Sequence, residues 1–385
     1  MKTIHSHTIK SVFSIVLFFF ILQSSNSGNH GKGAESENSG PDFVYTENNT
    51  DLSDLDFTIK DVETNYSGFR FKVTEENRHE YDSMIESVHK KAAKGLIDEF
   101  EAVAMYLGFF QDHHLLTCNN GENANHRKYL KRFIDYSKSI IYAPDTLAVR
   151  VTENTFLIRY PSCQADVVSS EWVSGSLDRY FESGCENLIL DIRGNEGGND
   201  SMYSPYLWVL YDHPGTNDGI LFFDTEENRK IMESCLPSIY EDTPLVKENG
   251  PTNEYVSLFG RTKDVGMYDN ISPLPKKAAI IIDNQVASSG EQLILDVRAC
   301  SCRCVVYGRD NTRGCLDFSN CRLVKLSGNT QYYQVPMTVS HRVLNGTGVD
   351  ECGIAPDVRI NWELPEELTN NVDSWVVNVA KELEK

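Results

Sequence analysis

One serine of this chain lies where a strand pattern ends and a helix pattern begins. The apolar strand pattern runs to Ile282, and Ser288-Ser289-Gly290-Glu291 opens the helix. A serine in this place can act as a nucleophile, because the N–H of Ser289 and the helix dipole stabilise a developing oxyanion. The same residues also match a capping box, in which Ser288 and Glu291 only cap the helix. The residues alone leave both interpretations open.

A glycine-rich segment follows another predicted strand. The strand pattern Leu188–Ile192 leads into Arg193-Gly-Asn-Glu-Gly197-Gly198 and then into a helix. Such a turn exposes backbone N–H groups, and glycine lets a ligand approach them closely, so Gly197 and Gly198 could bind an oxyanion. The alternative is a structural turn with an Asp191–Arg193 ion pair. Because no Gly-Lys-Ser/Thr follows, a nucleotide-binding P-loop is excluded.

A candidate base lies upstream, in the segment Gln111-Asp112-His113-His114. A nucleophilic serine needs a base, which is usually histidine. Adjacent residues of a helix or turn point to different sides, so one of the two histidines at most faces a given site. A surface pair stabilised by the helix dipole is the alternative. The chain lacks the His-Glu-x-x-His zinc motif, and neither a cofactor nor a metal is predicted.

The segments that must position these residues change character along the chain. The region 53–125 has helical periodicity, and strands alternate with helices after about residue 145. This alternation predicts an α/β sheet covered by helices. The predicted strands are Leu147–Val151, Thr155–Arg159, Leu188–Ile192, Ala278–Ile282 and Cys304–Tyr307, with a hairpin at Arg322–Leu326 and Gln331–Val335. The predicted helices are Met84–Lys94, Leu96–Phe110, Ser169–Glu182, Met202–Tyr211, Glu291–Arg298 and Ser374–Leu383.

The N-terminus has the pattern of a secretory signal peptide, which we predict at residues 1–27. Lys2 and Lys10 precede the apolar run Val12–Leu22, and small polar residues follow it. The run is short for a permanent membrane anchor, although a retained anchor is the alternative. We expect a secreted or periplasmic protein with no stable membrane insertion after cleavage.

Composition narrows the possible partners. Residues 28–52 are rich in Gly, Ser, Asn and Glu, which predicts a flexible linker. The rest has the ordinary apolar content of a globular protein, because 40% of the 385 residues are hydrophobic. The formal net charge of −20 repels phosphate backbones, so nucleic acid is not an expected partner.

The chain has ten cysteines. In an exported chain an even number of cysteines predicts disulfide bonds. The cluster Cys300-Ser-Cys302-Arg-Cys304, with Cys315 and Cys321, leaves zinc as the alternative, although its spacing departs from the usual zinc pairs. The sequence does not give the disulfide connectivity.

Taken in order, these segments resemble the tail-specific (C-terminal processing) proteases, in the branch that includes the tricorn core and the repeats of interphotoreceptor retinoid-binding protein. The motifs that carry the resemblance are Asp112-His113-His114, Asp191-x-Arg193-Gly194-Asn195-x-Gly197-Gly198, Val286-Ala287-Ser288-Ser289-Gly290-Glu291, Gly308-x-x-x-Thr312-x-Gly314 and Glu351-Cys-Gly353-Ile354-Ala-Pro356-Asp357. Each motif is modest alone, and together they span most of residues 55–360.

The resemblance implies a crotonase-like (ClpP-like) α/β peptidase domain at 126–385, preceded by a helical subdomain at 53–125. One branch of the family uses a Ser–Lys dyad, but Cys315 stands where that lysine would be. The resemblance to the other branch implies Ser288 as nucleophile, His114 as base and Glu351 as the supporting carboxylate. In that branch a hydroxyl residue precedes the histidine, where this chain has His113. No segment reads as a complete PDZ module.

The implied activity is that of a secreted serine endopeptidase, which cleaves peptides or proteins through an acyl-enzyme. The N–H groups of Gly197 or Gly198 and of Ser289 would form the oxyanion hole. The same fold can serve binding without catalysis, and the same triad can hydrolyse esters. An inactive peptide- or ligand-binding homologue is therefore the main alternative. The oligomeric state is not predicted.

Overall fold

The computed structural model describes residues 46–47, 51–119, 122–123, 139–235, 246–247, 255–257, 260–328, 330–350 and 352–385. The predicted signal peptide and most of the predicted linker lie outside these ranges. No helix among the described residues combines the length and the apolar character needed to cross a bilayer.

Helices occur along the whole described part of the chain. Within the described residues they are α1 (Asp54–Asn65), α2 (Phe69–Lys72), α3 (Arg78–Ala93), α4 (Glu99–Leu107), α5 (Ser170–Ser183), α6 (Asp200–Leu210), α7 (Glu226–Cys235), α8 (Ser289–Cys300), α9 (His341–Leu344) and α10 (Ser374–Leu383), with a 3₁₀ turn at Gly108–Phe110.

The strands form two larger sheets and two short pairs. They are β1 (Thr46–Glu47), β2 (Thr117–Asn119), β3 (Glu122–Asn123), β4 (Ile141–Tyr142), β5 (Leu147–Arg150), β6 (Thr155–Arg159), β7 (Asn187–Asp191), β8 (Gly215–Asp218), β9 (Ile220–Phe223), β10 (Val246–Lys247), β11 (Tyr255–Ser257), β12 (Thr262–Val265), β13 (Lys277–Ile282), β14 (Cys304–Gly308), β15 (Phe318–Lys325), β16 (Gln331–Ser340), β17 (Val358–Arg359) and β18 (Glu367–Leu368).

The first sheet is parallel apart from its edge strand β5, in the order β17-β14-β13-β7-β6-β5. Its central strands β6, β7 and β13 are almost entirely buried and have apolar residues at their middle positions, as expected where both faces are covered. Alternate residues of β7, Leu188 and Leu190, pack with α5, α6 and α8 in one core, while Ile189 packs in a second core with Trp375 and Val376 of α10. The adjacent strands β7 and β13 therefore end at the same edge, where the Gly-rich turn and Ser288 follow them.

The second sheet joins the N-terminal helices to the rest of the chain. It has the order β1-β15-β16-β9-β11-β10, and β2 also pairs with β16. Residues of α1 and α4, such as Leu55 and Val103, share one core with Phe223, Val324 and Val335 of this sheet. The segment that carries His114 runs from α4 into β2, so it is fixed between this core and the antiparallel sheet.

The structure confirms the predicted mixed α/β fold. The strand at Thr155–Arg159 and the helix at Ser374–Leu383 have the predicted bounds, and the hairpin strands β15 and β16 pair antiparallel but are longer than predicted. The predicted helix Leu96–Phe110 instead begins at Glu99, because Asp98 caps it by accepting the N–H of Glu101. The sequence reasoning missed β9 and β11.

The predicted disulfides do not appear among the cysteines whose side chains the structure describes. None of these nine residues is in a disulfide: Cys118, Cys163, Cys185, Cys300, Cys302, Cys304, Cys315, Cys321 and Cys352. Seven of them are buried or half-buried, and only Cys302 and Cys352 are exposed. Free cysteine behaves as a small apolar residue, so the buried thiols are compatible with packing alone.

Candidate active site

Ser288 has an unusual backbone conformation, with φ 51° and ψ −121°. A non-glycine residue with positive φ is strained by about 1–3 kcal/mol, and such residues cluster at active sites. The conformation is held by the N–H of Ser288, which donates to the carbonyl oxygen of Cys315 at 2.8 Å and to Oε2 of Glu291 at 3.2 Å. The side chain of Ser288 is half-buried. Its hydroxyl thus sits on a fixed turn at the edge of the sheet.

Glu291 fixes this turn rather than facing solvent. Its buried carboxylate accepts hydrogen bonds from the hydroxyl of Thr312 and from the N–H groups of Gly314 and Cys315, in addition to that of Ser288. Burial raises the pKa of Glu291, and these donors oppose the rise. The capping interpretation of Glu291 is therefore correct, and its carboxylate also binds the 312–315 segment to the start of α8.

The Gly-rich turn packs directly on Ser288. The carbonyl oxygen of Asn195 accepts the N–H of Ala287 at 2.9 Å, which joins the two turns. A Cβ atom on Gly197 would lie 2.6 Å from Cβ of Ser288 and 2.9 Å from the nitrogen of Ser289. Only glycine fits here, also because φ of Gly197 is +97°.

The three predicted oxyanion donors differ in availability. The N–H of Gly197 donates to Oδ1 of Asn195 at 2.9 Å. In the described part of the chain, the N–H groups of Gly198 and Ser289 form no hydrogen bond, while the Ser289 hydroxyl donates to the carbonyl oxygen of Gly198 at 2.8 Å. The N–H groups of Gly198 and Ser289 are therefore the two candidate oxyanion donors beside Ser288. Gly197 has no side chain and so leaves room for the side chain of Ser288.

His114 is held by the backbone of β15. Its Nδ1 lies 2.6 Å from the carbonyl oxygen of Phe318, and its own N–H donates to Oδ1 of Asp112 at 2.8 Å. A carbonyl oxygen only accepts, so Nδ1 carries the proton and Nε2 has the lone pair of a base. Burial lowers the pKa of His114, Asp112 and the Phe318 carbonyl partly oppose this, and Arg313 lowers it further.

Three buried aspartates, Asp112, Asp317 and Asp350, lie in the segments that hold His114. Sequence reasoning missed Asp317 and Asp350. Asp350 accepts the N–H groups of Leu316 and Asp317 at 2.6 and 2.7 Å, and thus fixes the segment that leads to Phe318. Burial, with the nearby charges of Asp317 and Asp112, raises the pKa of Asp350 well above its usual range. Asp317 in turn accepts Nε of Arg342 at 3.0 Å. No local motif signals Asp317 or Asp350.

Ser288 and His114 both form hydrogen bonds to the segment 315–318. Ser288 bonds to the carbonyl of Cys315 and His114 to that of Phe318, three residues later. No hydrogen bond joins the Ser288 hydroxyl to His114 among the described residues. Glu351, the predicted third member, lies outside the described residues. The structure thus places two of the three predicted catalytic residues on one short segment, without a hydrogen bond between the Ser288 hydroxyl and the His114 imidazole.

Arg313 is a buried cation at this site. It donates to Oε1 of Glu196 at 2.6 Å and to Oε1 of Gln285 at 3.0 Å, and no described residue accepts from its Nε. Its N–H also donates to the carbonyl of Val286 at 2.8 Å. Arg313 therefore connects the Gly-rich turn with the loop before Ser288.

Behind the Gly-rich turn lies a buried network of two arginines and two aspartates. Asp191 pairs with Arg159 at 2.8 Å and with Arg193 at 2.7 Å, and Asp373 pairs with the same arginines at 3.0 and 2.7 Å. Burial alone would raise the pKa of Asp191, but Arg193 and Arg159 hold it below its usual range. The Asp191–Arg193 ion pair therefore exists together with the turn, so the two interpretations of this segment are compatible.

The sequence matches the model of peptidase family S41 over residues 154–360, which is more than half of the chain. The chain belongs to peptidase family S41. It is a serine-type peptidase, and its substrates are peptides or proteins. The match contains the Gly-rich turn, Ser288 and Glu351, whereas His114 precedes it.

Solved structures support the fold of this S41 peptidase. A candidate peptidase from Parabacteroides merdae is 14% identical, with a TM-score of 0.51, and the match covers 80% of this chain and 89% of that one. Mature CPAF complexed with lactacystin is 12% identical, also with a TM-score of 0.51, over 80% of this chain and 92% of that one. At such identities the likeness concerns the fold alone. No curated protein matches the sequence.

Proposed function

We propose that this S41 peptidase hydrolyses peptide bonds through an acyl-enzyme on Ser288. His114 takes the proton of the Ser288 hydroxyl at Nε2, and the oxygen attacks the peptide carbonyl. The N–H groups of Gly198 and Ser289 bind the oxyanion. His114 then gives the proton to the leaving amine, and water releases the acyl group by the same steps. Glu351 supports the protonated imidazole.

The observation that carries this proposal is the strained conformation of Ser288. Ser288 has φ 51°. The buried carboxylate of Glu291 accepts its N–H, and Gly197, a glycine with positive φ, leaves the space that Cβ of Ser288 occupies. An ordinary capping serine has an extended backbone and needs neither device. Acyl transfer requires hydrogen-bond donors for the oxyanion next to the nucleophile, and the N–H groups of Gly198 and Ser289 are available for this role.

The test is labelling of the purified protein with a fluorophosphonate, followed by peptide mapping. We expect a covalent adduct on Ser288, none in Ser288→Ala, and slower labelling of His114→Ala. The probe phosphonylates the serine oxygen: a P–O bond forms, the P–F bond breaks with release of fluoride, and the base takes the hydroxyl proton. The adduct therefore reports an activated hydroxyl without knowledge of the substrate. Absence of the adduct in a folded protein, under conditions that label a known serine peptidase, would overturn the proposal.

One observation favours the second candidate, an inactive homologue that binds peptides. The Ser288 hydroxyl and His114 are not hydrogen-bonded to each other in the described structure. Catalytic hydrogen bonds are often long before substrate binds and shorten in the complex, so the missing contact does not exclude catalysis. A protein that binds peptides but fails to label would establish this second function.

Export is a separate proposal. The N-terminal pattern of Lys2, Lys10 and the apolar run predicts cleavage near Ser27 and residence outside the cytoplasm. Mass spectrometry of the protein recovered from the medium or periplasm should give a chain that begins near residue 28. Recovery of only the uncleaved chain, inside cells, would contradict export.

Gly197→Ala should nearly abolish activity while leaving the fold intact. The added Cβ would lie 2.6 Å from Cβ of Ser288, so the nucleophile must move. A misplacement of about 1 Å costs about 100-fold in rate. Gly184→Ala is the matched control, because φ of Gly184 is also positive at +69° but a Cβ there meets nothing within 4 Å. Equal kcat/KM values for the two variants would contradict the packing argument.

Arg313→Gln should move the acidic limb of the pH profile to higher pH. The positive charge of Arg313 disfavours protonation of His114, so its removal raises the pKa of His114. A base acts in its neutral form, and a higher pKa means that activity is lost at a higher pH as the solution is acidified.

The measurement is kcat/KM against pH, with Arg309→Gln as control because Arg309 is exposed. Circular dichroism at each pH would verify that both variants remain folded. An unmoved limb in Arg313→Gln would show that Arg313 does not influence the titrating base.

A further inference from the structure

Three side chains with different ligand atoms meet at the surface, away from the peptidase site. The ligand atoms of Asp212, His213 and Cys302 all lie within 4.8 Å of one another. Nδ1 of His213 is in contact with Oδ1 of Asp212 and lies 3.9 Å from Sγ of Cys302. The carboxylate and the imidazole are half-buried, and the thiol is exposed.

The backbone fixes these residues before any ligand binds. The N–H groups of Asp212 and His213 both donate to the carbonyl oxygen of Cys300, at 3.0 and 3.3 Å. In return, Oδ2 of Asp212 accepts the N–H groups of Cys302 and Arg303, at 2.8 and 3.2 Å. The two segments are thus joined by four hydrogen bonds, and Oδ1 of the carboxylate is directed toward His213.

We propose that Asp212, His213 and Cys302 bind Zn²⁺. Zinc prefers thiolate, imidazole and carboxylate ligands in a tetrahedral arrangement. In such a site, with Zn–S near 2.3 Å and Zn–N near 2.0 Å, sulfur and nitrogen lie about 3.6 Å apart. The observed 3.9 Å between Sγ of Cys302 and Nδ1 of His213 is close to this separation, and the hydrogen bond between His213 and Asp212 must open for both to bind the metal. On binding, the Cys302 thiol loses its proton to the solvent and bonds to the metal as thiolate.

The surroundings suit a metal with one open position. Asp212, Cys302 and Arg303 line a surface groove of about 520 Å³, which leaves room for water as the fourth ligand. Nε of Arg303 lies 3.7 Å from Oδ2 of Asp212. This cation lowers the affinity of the site for metal, but it also orients the carboxylate so that Oδ1 faces the cluster, as outer partners of metal ligands do.

The position of the cluster suggests what the metal would do. Asp212 and His213 follow the C-terminal end of α6, and Cys302 follows that of α8. The N-terminal ends of the same two helices carry the Gly-rich turn and Ser288. The helices also bond to each other through Tyr203 and Asp296, at 2.8 Å. A bound Zn²⁺ would join the far ends of the helix pair and stabilise it.

The site differs from the zinc alternative raised by the cysteine pattern. Of the C-x-C-x-C triplet only Cys302 belongs to the cluster. Cys300 is buried in the main core and contributes its carbonyl oxygen to the scaffold, while Cys304 begins β14. The other two ligands come from Asp212 and His213, about ninety residues earlier, so the sequence spacing did not reveal them.

The test uses Co²⁺ as a spectroscopic probe of the full chain, reduced and freed of metal with a chelator. Thiolate ligation gives a near-ultraviolet charge-transfer band, which Zn²⁺ should then displace at one equivalent. We expect the band in the wild type and its loss in Cys302→Ser. His213→Gln should weaken metal binding by at least about 100-fold. Cys352→Ser, which removes the other exposed thiol, should retain the band.

The stability readout is independent of peptidase activity. Zn²⁺ at about 100 times its Kd should raise the Tm of the wild type but not that of Cys302→Ser. The metal-free variants should melt like the metal-free wild type, which excludes misfolding as the cause. No band in the reduced wild type, or a band that survives in Cys302→Ser, would overturn the proposal. So would a Cys302 that resists alkylation until reductant is added, because it would be in a disulfide.

Discussion

Replacing His114 by alanine is expected to cost nearly as much activity as replacing Ser288. Both residues take part in the same proton transfer, and the effects of substituting such residues on activity do not add. We expect kcat/KM to fall by about 10³-fold or more in His114→Ala, and Ser288→Ala with His114→Ala to be no worse than Ser288→Ala. Hydrolysis of a fluorogenic peptide mixture by equal amounts of folded protein would measure this.

His113→Ala is the matched control, because it removes an adjacent imidazole from the same turn. His114 is the one whose Nδ1 bonds to the carbonyl of Phe318, which leaves its Nε2 as base. The His113 variant should therefore keep kcat/KM within about tenfold of the wild type. If His113→Ala loses as much activity as His114→Ala, the assignment of the base is wrong. If neither variant loses activity, the proposed mechanism is wrong.

The shape of the pH profile gives this assignment a second readout. Burial holds the pKa of His114 below the ordinary histidine value of 6.5. The imidazole is therefore neutral in the folded protein at pH values where an exposed histidine is already charged. Below pH 6.5 the unfolded chain binds this proton more readily, so the contribution of His114 to stability falls as the solution is acidified. Activity should accordingly persist to pH values below 6.5.

The sequence predicted the part of the site that depends on local pattern. The family resemblance implied that the N–H groups of Gly197 or Gly198 and of Ser289 form one oxyanion hole, which requires the Gly-rich turn and Ser288 to lie together. The structure places Gly197 against Ser288, as this reasoning requires. Family motifs supplied the order of these segments, and the apolar runs supplied the strands.

The supporting contacts of His114 could not be predicted in the same way. Its partner at Nδ1 is the backbone carbonyl of Phe318, 204 residues later, and any residue type offers a carbonyl. The carboxylate that fixes this segment, Asp350, is identified only by the pairing of distant segments. The strained φ of Ser288 is likewise a property of the folded turn, since nothing in the residue type of serine specifies it.

The buried ion network likewise combines a local pair that the sequence predicts with distant partners that it does not, and this network bears on stability. The sequence suggested a local pair between Asp191 and Arg193, but the network also needs Arg159 and Asp373. Asp373 lies 180 residues beyond Arg193 and caps α10 through the N–H of Trp375. The network therefore joins the end of β7, where the Gly-rich turn begins, to the C-terminal helix on the opposite face of the sheet.

Asp373→Ala should lower the free energy of unfolding by about 3–5 kcal/mol, because it leaves an uncompensated positive charge in the buried network. The cap of α10 is lost as well, and the end of β7 should loosen, so activity should fall with stability. Urea unfolding, with the midpoint and the slope m fitted separately, would measure the loss. Asp373→Asn tests the charge alone, because its amide oxygen can still accept the N–H of Trp375 and cap the helix. This variant should show most of the loss in unfolding free energy that Asp373→Ala shows.

The matched control is Glu186→Ala, which removes an exposed ion pair with Lys276. Exposed pairs contribute about 0–1 kcal/mol, so this variant should unfold almost like the wild type. A loss below about 1 kcal/mol in Asp373→Ala would mean that Asp191 alone compensates both arginines. The network would then be dispensable for folding, and the position of the Gly-rich turn would depend on Asn195 and its hydrogen bond from Ala287 instead.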